Sequence, residues 1–204
     1  MNTEKLYIST TASDAYDVAQ KYGLGIEIAD FCTAWNIDDN FIETDRQLKY
    51  KLDGIERRLL HAPFNELFPC AIDKKAKELA AFRYKQAITL AEQYKALENT
   101  LEETPELLLD IVKGVNDSRM KICLDIGHVN VYSKIPALEW IEHCKGFISH
   151  FHIPINEGTR DSHSALDKGS ISMKELLDLA EKFCPDASYT IEMMNAETSV
   201  QWIM

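Results

Sequence analysis

The chain has 204 residues, 46% hydrophobic and 27% charged, which is enough apolar side chain for one buried core and excludes a disordered or fibrous polymer. Its 22 Lys and Arg against 33 Asp and Glu give a formal charge of −11, which repels phosphate backbones and favours a small-molecule partner over a nucleic acid. No apolar run approaches the roughly 18 to 20 residues of a membrane span, and Met1 to Thr11 lacks the basic start and apolar stretch of a signal peptide, so no membrane and a cytoplasmic location are expected.

No Ser/Gly linker, low-complexity tract or charge block divides the sequence, and residues 1–204 read as a single domain. In chain order, Leu6 to Ser9, Gly25 to Phe31 and Arg58 to His61 have the pattern of strands. A long helical pattern then runs from Lys74 to Tyr94 and is followed almost at once by a strand pattern over Ala96 to Asn99. Pro105 to Val112 reads as a helix with Thr104 at the N-cap and proline in its first turn. After it come a strand over Lys121 to Ile126, a helix over Ile135 to His143 and a strand over Phe147 to Ile153. A helix over Met173 to Phe183, with Ser172 and Glu175 spaced as a capping box, precedes the last strand, Ser188 to Met193. Strands alternating with helices predict an α/β fold with parallel strands, because parallel neighbours need a crossover connection.

An open doubly wound sheet and a closed barrel both fit that alternation. The polar residues discriminate between them. Glu27, His61, Glu98, Asp125 with His128, His150 with His152, and Glu192 all stand at or just after the C-terminal ends of strands. In a barrel those ends converge on one mouth, whereas an open sheet would spread them along an edge. The chain also has no GxGxxG or GxxxxGK[ST] loop to mark a nucleotide fold.

Five of the six histidines occupy such positions or, as His163 does, the loop after one of these strands, and His143, on a helix, reads as solvated. In Ser149-His150-Phe151-His152-Ile153 the two-residue period of a strand puts both imidazoles on one face, opposite Phe151 and Ile153. Alone, such a pair reads equally well as imidazoles hydrogen-bonded to neighbouring carboxylates. In Leu124-Asp125-Ile126-Gly127-His128 an apolar strand ends in an acid, which could be a helix cap, and the glycine is expected to let the backbone turn sharply and bring His128 back. Asp161-Ser162-His163 adds a carboxylate and an imidazole, or is an ordinary turn. Glu98 and Glu192 each end an apolar run and should point inward, where a carboxylate is costly unless paired or bound to a cation. Together these groups suggest a divalent metal, and nitrogen and oxygen donors without thiolates suit Zn, Mn, Fe or Co. The cysteines Cys32, Cys70, Cys123, Cys144 and Cys184 are odd in number, scattered and without a CxxC pair, and read as reduced, mostly buried thiols.

The segments His61-Ala62-Pro63-Phe64, Leu97-Glu98-Asn99, Leu124 to His128, His150 to Gly158, Asp161-Ser162-His163 and Thr190-Ile191-Glu192, in this order, resemble the xylose-isomerase-like TIM-barrel superfamily. That superfamily holds sugar isomerases and epimerases and the endonuclease IV type of DNA-repair enzyme. The resemblance implies a metal held by Glu98, Asp125, His152 and Glu192, with Glu98 and Glu192 as acid and base through a metal-stabilised enediolate. It further implies that Glu27, His61, His128 and His150 contact a sugar, sugar-phosphate or polyol substrate. In the repair enzymes His61, His128, Asp161 and His163 would take additional metal; an inert relic of the fold or a binding module is the remaining alternative. Three departures stand out. A βα unit is missing between the long helix and the Leu-Glu-Asn strand, so a barrel of seven strands instead of eight is expected, incomplete or distorted near residues 94–97. An open edge there would invite association, a homo-oligomer included. Pro154-Ile155 stands where relatives carry polar residues, and Asp167 replaces a loop glycine.

Overall fold

The computed structural model describes residues 2–63, 67, 71–91, 95–98, 102–166 and 168–204, with the backbone alone described at 88 and 95–98. The elements follow in order as β1 (Leu6–Ser9), α1 (Ala15–Tyr22), β2 (Gly25–Ile28), α2 (Ala34–Asp38), α3 (Phe41–Lys51), β3 (Arg58–Leu60), α4 (Lys74–Ala91), β4 (Lys95–Glu98), α5 (Glu106–Val115), β5 (Met120–Asp125), α6 (Ile126–Tyr132), α7 (Ala137–Cys144), β6 (Ile148–His152), α8 (Met173–Phe183), β7 (Ser188–Ile191) and α9 (Glu197–Ile203). All seven strand patterns form strands, most of them shorter by one to three residues, with β4 beginning one residue earlier than expected. Asn99 and Tyr94, at the limits of two expected elements, lie outside the described residues.

Every strand pairing is parallel, and the order across the sheet is β3-β2-β1-β7-β6-β5-β4. The first and last strands in sequence are therefore not the edges: β1 pairs with β7 in the middle of the sheet. The edges are β3 and β4, and no pairing joins them among the described residues. The sheet is nevertheless curled. At roughly 4.8 Å per strand, four steps across a flat sheet would separate β3 from β6 by about 19 Å. Instead the rings of His61, just past β3, and His152, in β6, stack with centroids 5.4 Å apart. The result is an incomplete TIM-like barrel of seven strands, with its seam where the missing βα unit would stand.

The two faces of this sheet differ in chemistry. Outward from the barrel, Leu6, Ile8, Ile26, Leu124, Phe151, Tyr189 and Ile191 are fully or almost fully buried beneath the helices. Phe151 and Tyr189, paired across β6 and β7, stack at 5.3 Å, and each such side chain contributes about 1.5–3 kcal/mol by leaving water. Helix α8 shows the matching pattern, with Met173, Leu176 and Ala180 buried and charged residues outward. The inward face, by contrast, carries Ser9, Glu27, Asp125, His150, His152 and Thr190, all buried. Apolar branched residues usually fill a barrel interior; here a polar layer does.

Three local expectations change. Helix α5 starts after Pro105, and the Thr104 side chain bonds Glu106 instead of capping the helix. Ser172 holds the N-cap position of α8 without making the side-chain cap bond, so the capping box supplies a boundary and no hydrogen bond. Gly127 lies within α6 and not in the left-handed region, so it is not a sharp turn. A Cβ there would stand 2.8 Å from Pro154 Cγ and 3.2 Å from Asn156 Nδ2, so glycine is required for close approach of α6 to the chain after β6. Among the described cysteines, Cys123, Cys144 and Cys184 are buried, Cys32 is half-buried, and none of the four is in a disulfide; Cys70 lies outside the described residues.

Candidate active site

Parallel strands all end at the same rim, and the curl of the sheet brings those ends together. Asp125 closes β5 and His152 closes β6, opposite each other in register. Glu192 follows β7 by one residue and His61 follows β3 by one, its amide held by the Ile28 carbonyl at 2.9 Å. Nδ1 of His152 lies 3.3 Å from Glu192 Oε2 and 3.6 Å from Asp125 Oδ2, and all three residues are buried. Asp125 does two jobs: its Oδ1 accepts the His128 amide at 2.7 Å as the N-cap of α6, which leaves Oδ2 for His152. Asp125 is thus the cap of α6, and its second oxygen faces His152.

The other edge of His152 meets Glu27. Nε2 of His152 lies 3.0 Å from Glu27 Oε1, while Glu27 Oε2 is 3.4 Å from His150 Nε2. His150 is held in turn by the hydroxyls of Ser188 at 2.6 Å and Thr190 at 2.9 Å. Burial raises the Glu27 carboxyl, but the two imidazoles outweigh it and hold the group well below the ordinary carboxylate range.

Nearer the solvent, Asp161 Oδ2 sits between His163 Nε2 at 2.9 Å and His128 Nε2 at 3.4 Å. The His163 ring also donates from Nδ1 to the Glu192 carbonyl at 2.9 Å, and its backbone occupies the left-handed region at φ 46°. The Asp161 bond, opposed by burial, pushes His163 up to about 9. Asp161 is raised by burial but lowered further by its hydrogen bonds to His128 and His163, and ends well below its usual range. Asn156, fully buried, was not read from the sequence as part of this construction. Its side chain donates to the Gly127 carbonyl at 2.9 Å and accepts from Asn130 at 2.8 Å and from the Gly158 amide at 2.9 Å. The Ser164 amide bonds the Ile155 carbonyl at 2.7 Å, closing the loop that carries Asp161 and His163. The only signal for Asn156 in the sequence is an amide following the apolar run Ile153-Pro154-Ile155.

Of the residues expected at the site, the structure brings together Glu27, His61, Asp125, His128, His150, His152, Asp161, His163 and Glu192. Glu98 ends β4 on the same rim, but its side chain lies outside the described residues, as does Asp167. His143 is exposed on α7 and bonds the Glu139 carbonyl, as a solvated helix residue should.

Among the described residues three groupings could each hold an ion, with donor atoms all within 4.8 Å: Asp125, His152 and Glu192; Glu27, His61 and His152; and Cys123, His150 and His152. The first fits a divalent first-row metal best. Bonds of about 2.1 Å place adjacent ligand atoms roughly 3.0–3.4 Å apart, close to the spacings around His152 Nδ1, and the set is one imidazole and two carboxylates. The third grouping adds a buried thiol that the sequence pattern did not single out.

A family model described as xylose isomerase-like TIM barrel matches residues 54–203. An uncharacterised protein of Methanocaldococcus jannaschii is 25% identical over 227 positions, which cover 82% of this chain and 77% of the relative. That alignment is longer than the stretch of this chain within it, so the relative carries segments with no counterpart here. Among solved structures, a D-tagatose 3-epimerase-like protein superposes with a TM-score of 0.74 at 21% identity, over 97% of this chain and 93% of the other. A Thermus thermophilus protein soaked with zinc chloride gives 0.73 at 18% identity, over 98% and 96%.

Proposed function

This chain belongs to the xylose isomerase-like TIM-barrel family, and from that premise we propose that it is a divalent-metal-dependent isomerase or epimerase of a sugar or sugar phosphate. The observation that carries the reading is the convergence of Asp125 Oδ2, His152 Nδ1 and Glu192 Oε2 from three adjacent strands into one buried cluster. Glu98, at the end of the next strand, is the proposed fourth donor. A zinc, manganese, cobalt or iron ion bound there would supply the positive charge that offsets the negative charge a ketose develops when a carbon-bound proton leaves.

The chain's own groups account for the rest. Glu192 stands at the rim beside His152 and is the proposed base, its carboxylate taking the carbon-bound proton; Glu98 is the proposed acid, which in its protonated form gives a proton back to carbon. A free carboxylate is a feeble base near its ordinary pKa, so this role requires that the bound cation and burial tune it. His128 and the Asp161–His163 pair, partly exposed at the mouth, are placed to bond substrate hydroxyls. The net charge of −11 fits a neutral sugar more readily than a polyanion. The structures of a D-tagatose 3-epimerase-like protein and of a zinc-soaked protein among the nearest folds lend the reading support.

The test is turnover across a panel of ketoses and ketose phosphates with each metal. Metal-dependent interconversion of at least one pair supports the proposal; inactivity with every metal and sugar overturns it. One observation favours a second reading. Asp161 between His128 and His163 places further potential metal donors beside the first cluster, as phosphodiester cleavage at abasic DNA would use. Salt-sensitive DNA affinity in a filter-binding series would favour that alternative over the sugar reading.

A further inference from the structure

Glu27 and His150 were expected at the substrate, and their surroundings argue for a different role. Both are almost fully buried, at 4% and 8% exposure. Glu27 also lies on the Nε2 edge of the His152 ring, with His150 against its second oxygen, whereas Asp125 and Glu192 face Nδ1. The two ring nitrogens of an imidazole point away from each other, so whatever Asp125 and Glu192 bind is on the far side of His152 from Glu27.

An ionised carboxylate only accepts hydrogen bonds. The 3.0 Å contact puts the Glu27 carboxylate against Nε2 of His152, where it accepts the hydrogen of an imidazole whose Nδ1 binds a cation; in that neutral tautomer the lone pair is on Nδ1. That lone pair points at Glu192 Oε2 and Asp125 Oδ2, two further acceptors, an arrangement suited to a cation. The second oxygen of Glu27 makes no hydrogen bond among the described residues but lies at ion-pair distance, 3.4 Å, from Nε2 of His150, which is anchored by Ser188 and Thr190. The chain Ser188 to His150 to Glu27 to His152 links β7, β6 and β2 across the barrel interior.

We propose that Glu27, braced by His150, is a positioning residue that fixes His152 as the Nε2–H tautomer and presents Nδ1 to the metal, and that neither Glu27 nor His150 touches the substrate. The inference rests on the metal-site reading of His152. Carboxylate partners of this kind orient a ligating imidazole, and their loss typically weakens metal binding about 10- to 100-fold.

Two measurements test it. Long-range 1H–15N spectra of the metal-free, 15N-labelled wild type, followed over a pH series up to the point where the ring is neutral, should show His152 as the Nε2–H form. In Glu27→Gln, whose amide can donate to Nε2, the spectrum should shift toward the Nδ1–H form, and the zinc affinity, read by chelator competition, should fall about 10- to 100-fold. His150→Asn should move both readouts in the same direction by less. An Nδ1–H form in the wild type would overturn the proposal, and so would a Glu27→Gln variant that keeps its zinc affinity but raises KM for the sugar. If the wild type binds no zinc, the metal reading fails, and the metal-free spectrum still decides what Glu27 does. If Glu27→Gln does not fold, the wild-type spectrum and His150→Asn give the answer.

Discussion

The arc from β5 through β6, β7 and β1 to β2 and the seam between β3 and β4 are made of similar short parallel strands, yet they tolerate loss differently. On the arc every strand has a neighbour on both sides, and it supplies Asp125, His152, Glu192 and Glu27. At the seam each strand has one neighbour among the described residues, and the seam carries His61 and Glu98. A βα unit lost at the seam removes barrel wall without removing the proposed donors Asp125, His152 and Glu192, because the unit lay beside the arc and not within it. The polar interior follows from the same division: buried carboxylates and imidazoles persist where strands on both sides hold their partners in register.

Breaking the arc should have the largest effects. Glu192→Gln keeps the size and most of the packing of the side chain but removes the proposed base, and should lower kcat by about 10²- to 10⁴-fold while circular dichroism is unchanged. Turnover near the wild-type value would remove Glu192 from the mechanism. Asp125→Asn retains a good N-cap for α6 and removes the charge facing His152, so zinc affinity should fall by more than the roughly 100-fold upper range of outer partners, with little change in melting temperature. A parallel loss of stability would mean that Asp125 serves mainly as a cap. Gly127→Ala forces a methyl against Pro154 and should cost about 1–3 kcal/mol in urea unfolding. A neutral result would show that α6 can move away from the chain after β6. On the seam, His61→Ala should change zinc affinity at the central cluster by less than any of the arc variants that touch His152 or its partners. A loss as large as that of Asp125→Asn would move the metal toward Glu27 and His61.

Much of this was legible in the sequence because strand period and strand ends are local signals. Alternation put His150 and His152 on one face, and acids after apolar runs marked Asp125 and Glu192 as rim residues. The missing unit was visible as a helix running nearly straight into a strand, and the structure places the sheet's two free edges at that point. What was not legible depends on contacts across the barrel. Nothing local says that Glu27 in β2 meets His152 in β6, since that contact exists only once the sheet curls. Gly127 was read as a turn because sequence cannot show that Pro154 crowds it. Helices α1, α2, α3, α6 and α9 went unread because they are short or thinly apolar; α3 buries only Thr44 and Leu48 along eleven residues.

The most direct test of the metal centre is an anomalous-scattering map of crystals grown with zinc, recorded at its absorption edge. The account predicts one strong peak about 2.0–2.2 Å from Asp125 Oδ2, His152 Nδ1 and a Glu192 oxygen. A map with no peak among these three, or with its strongest peak elsewhere on the protein, would contradict it.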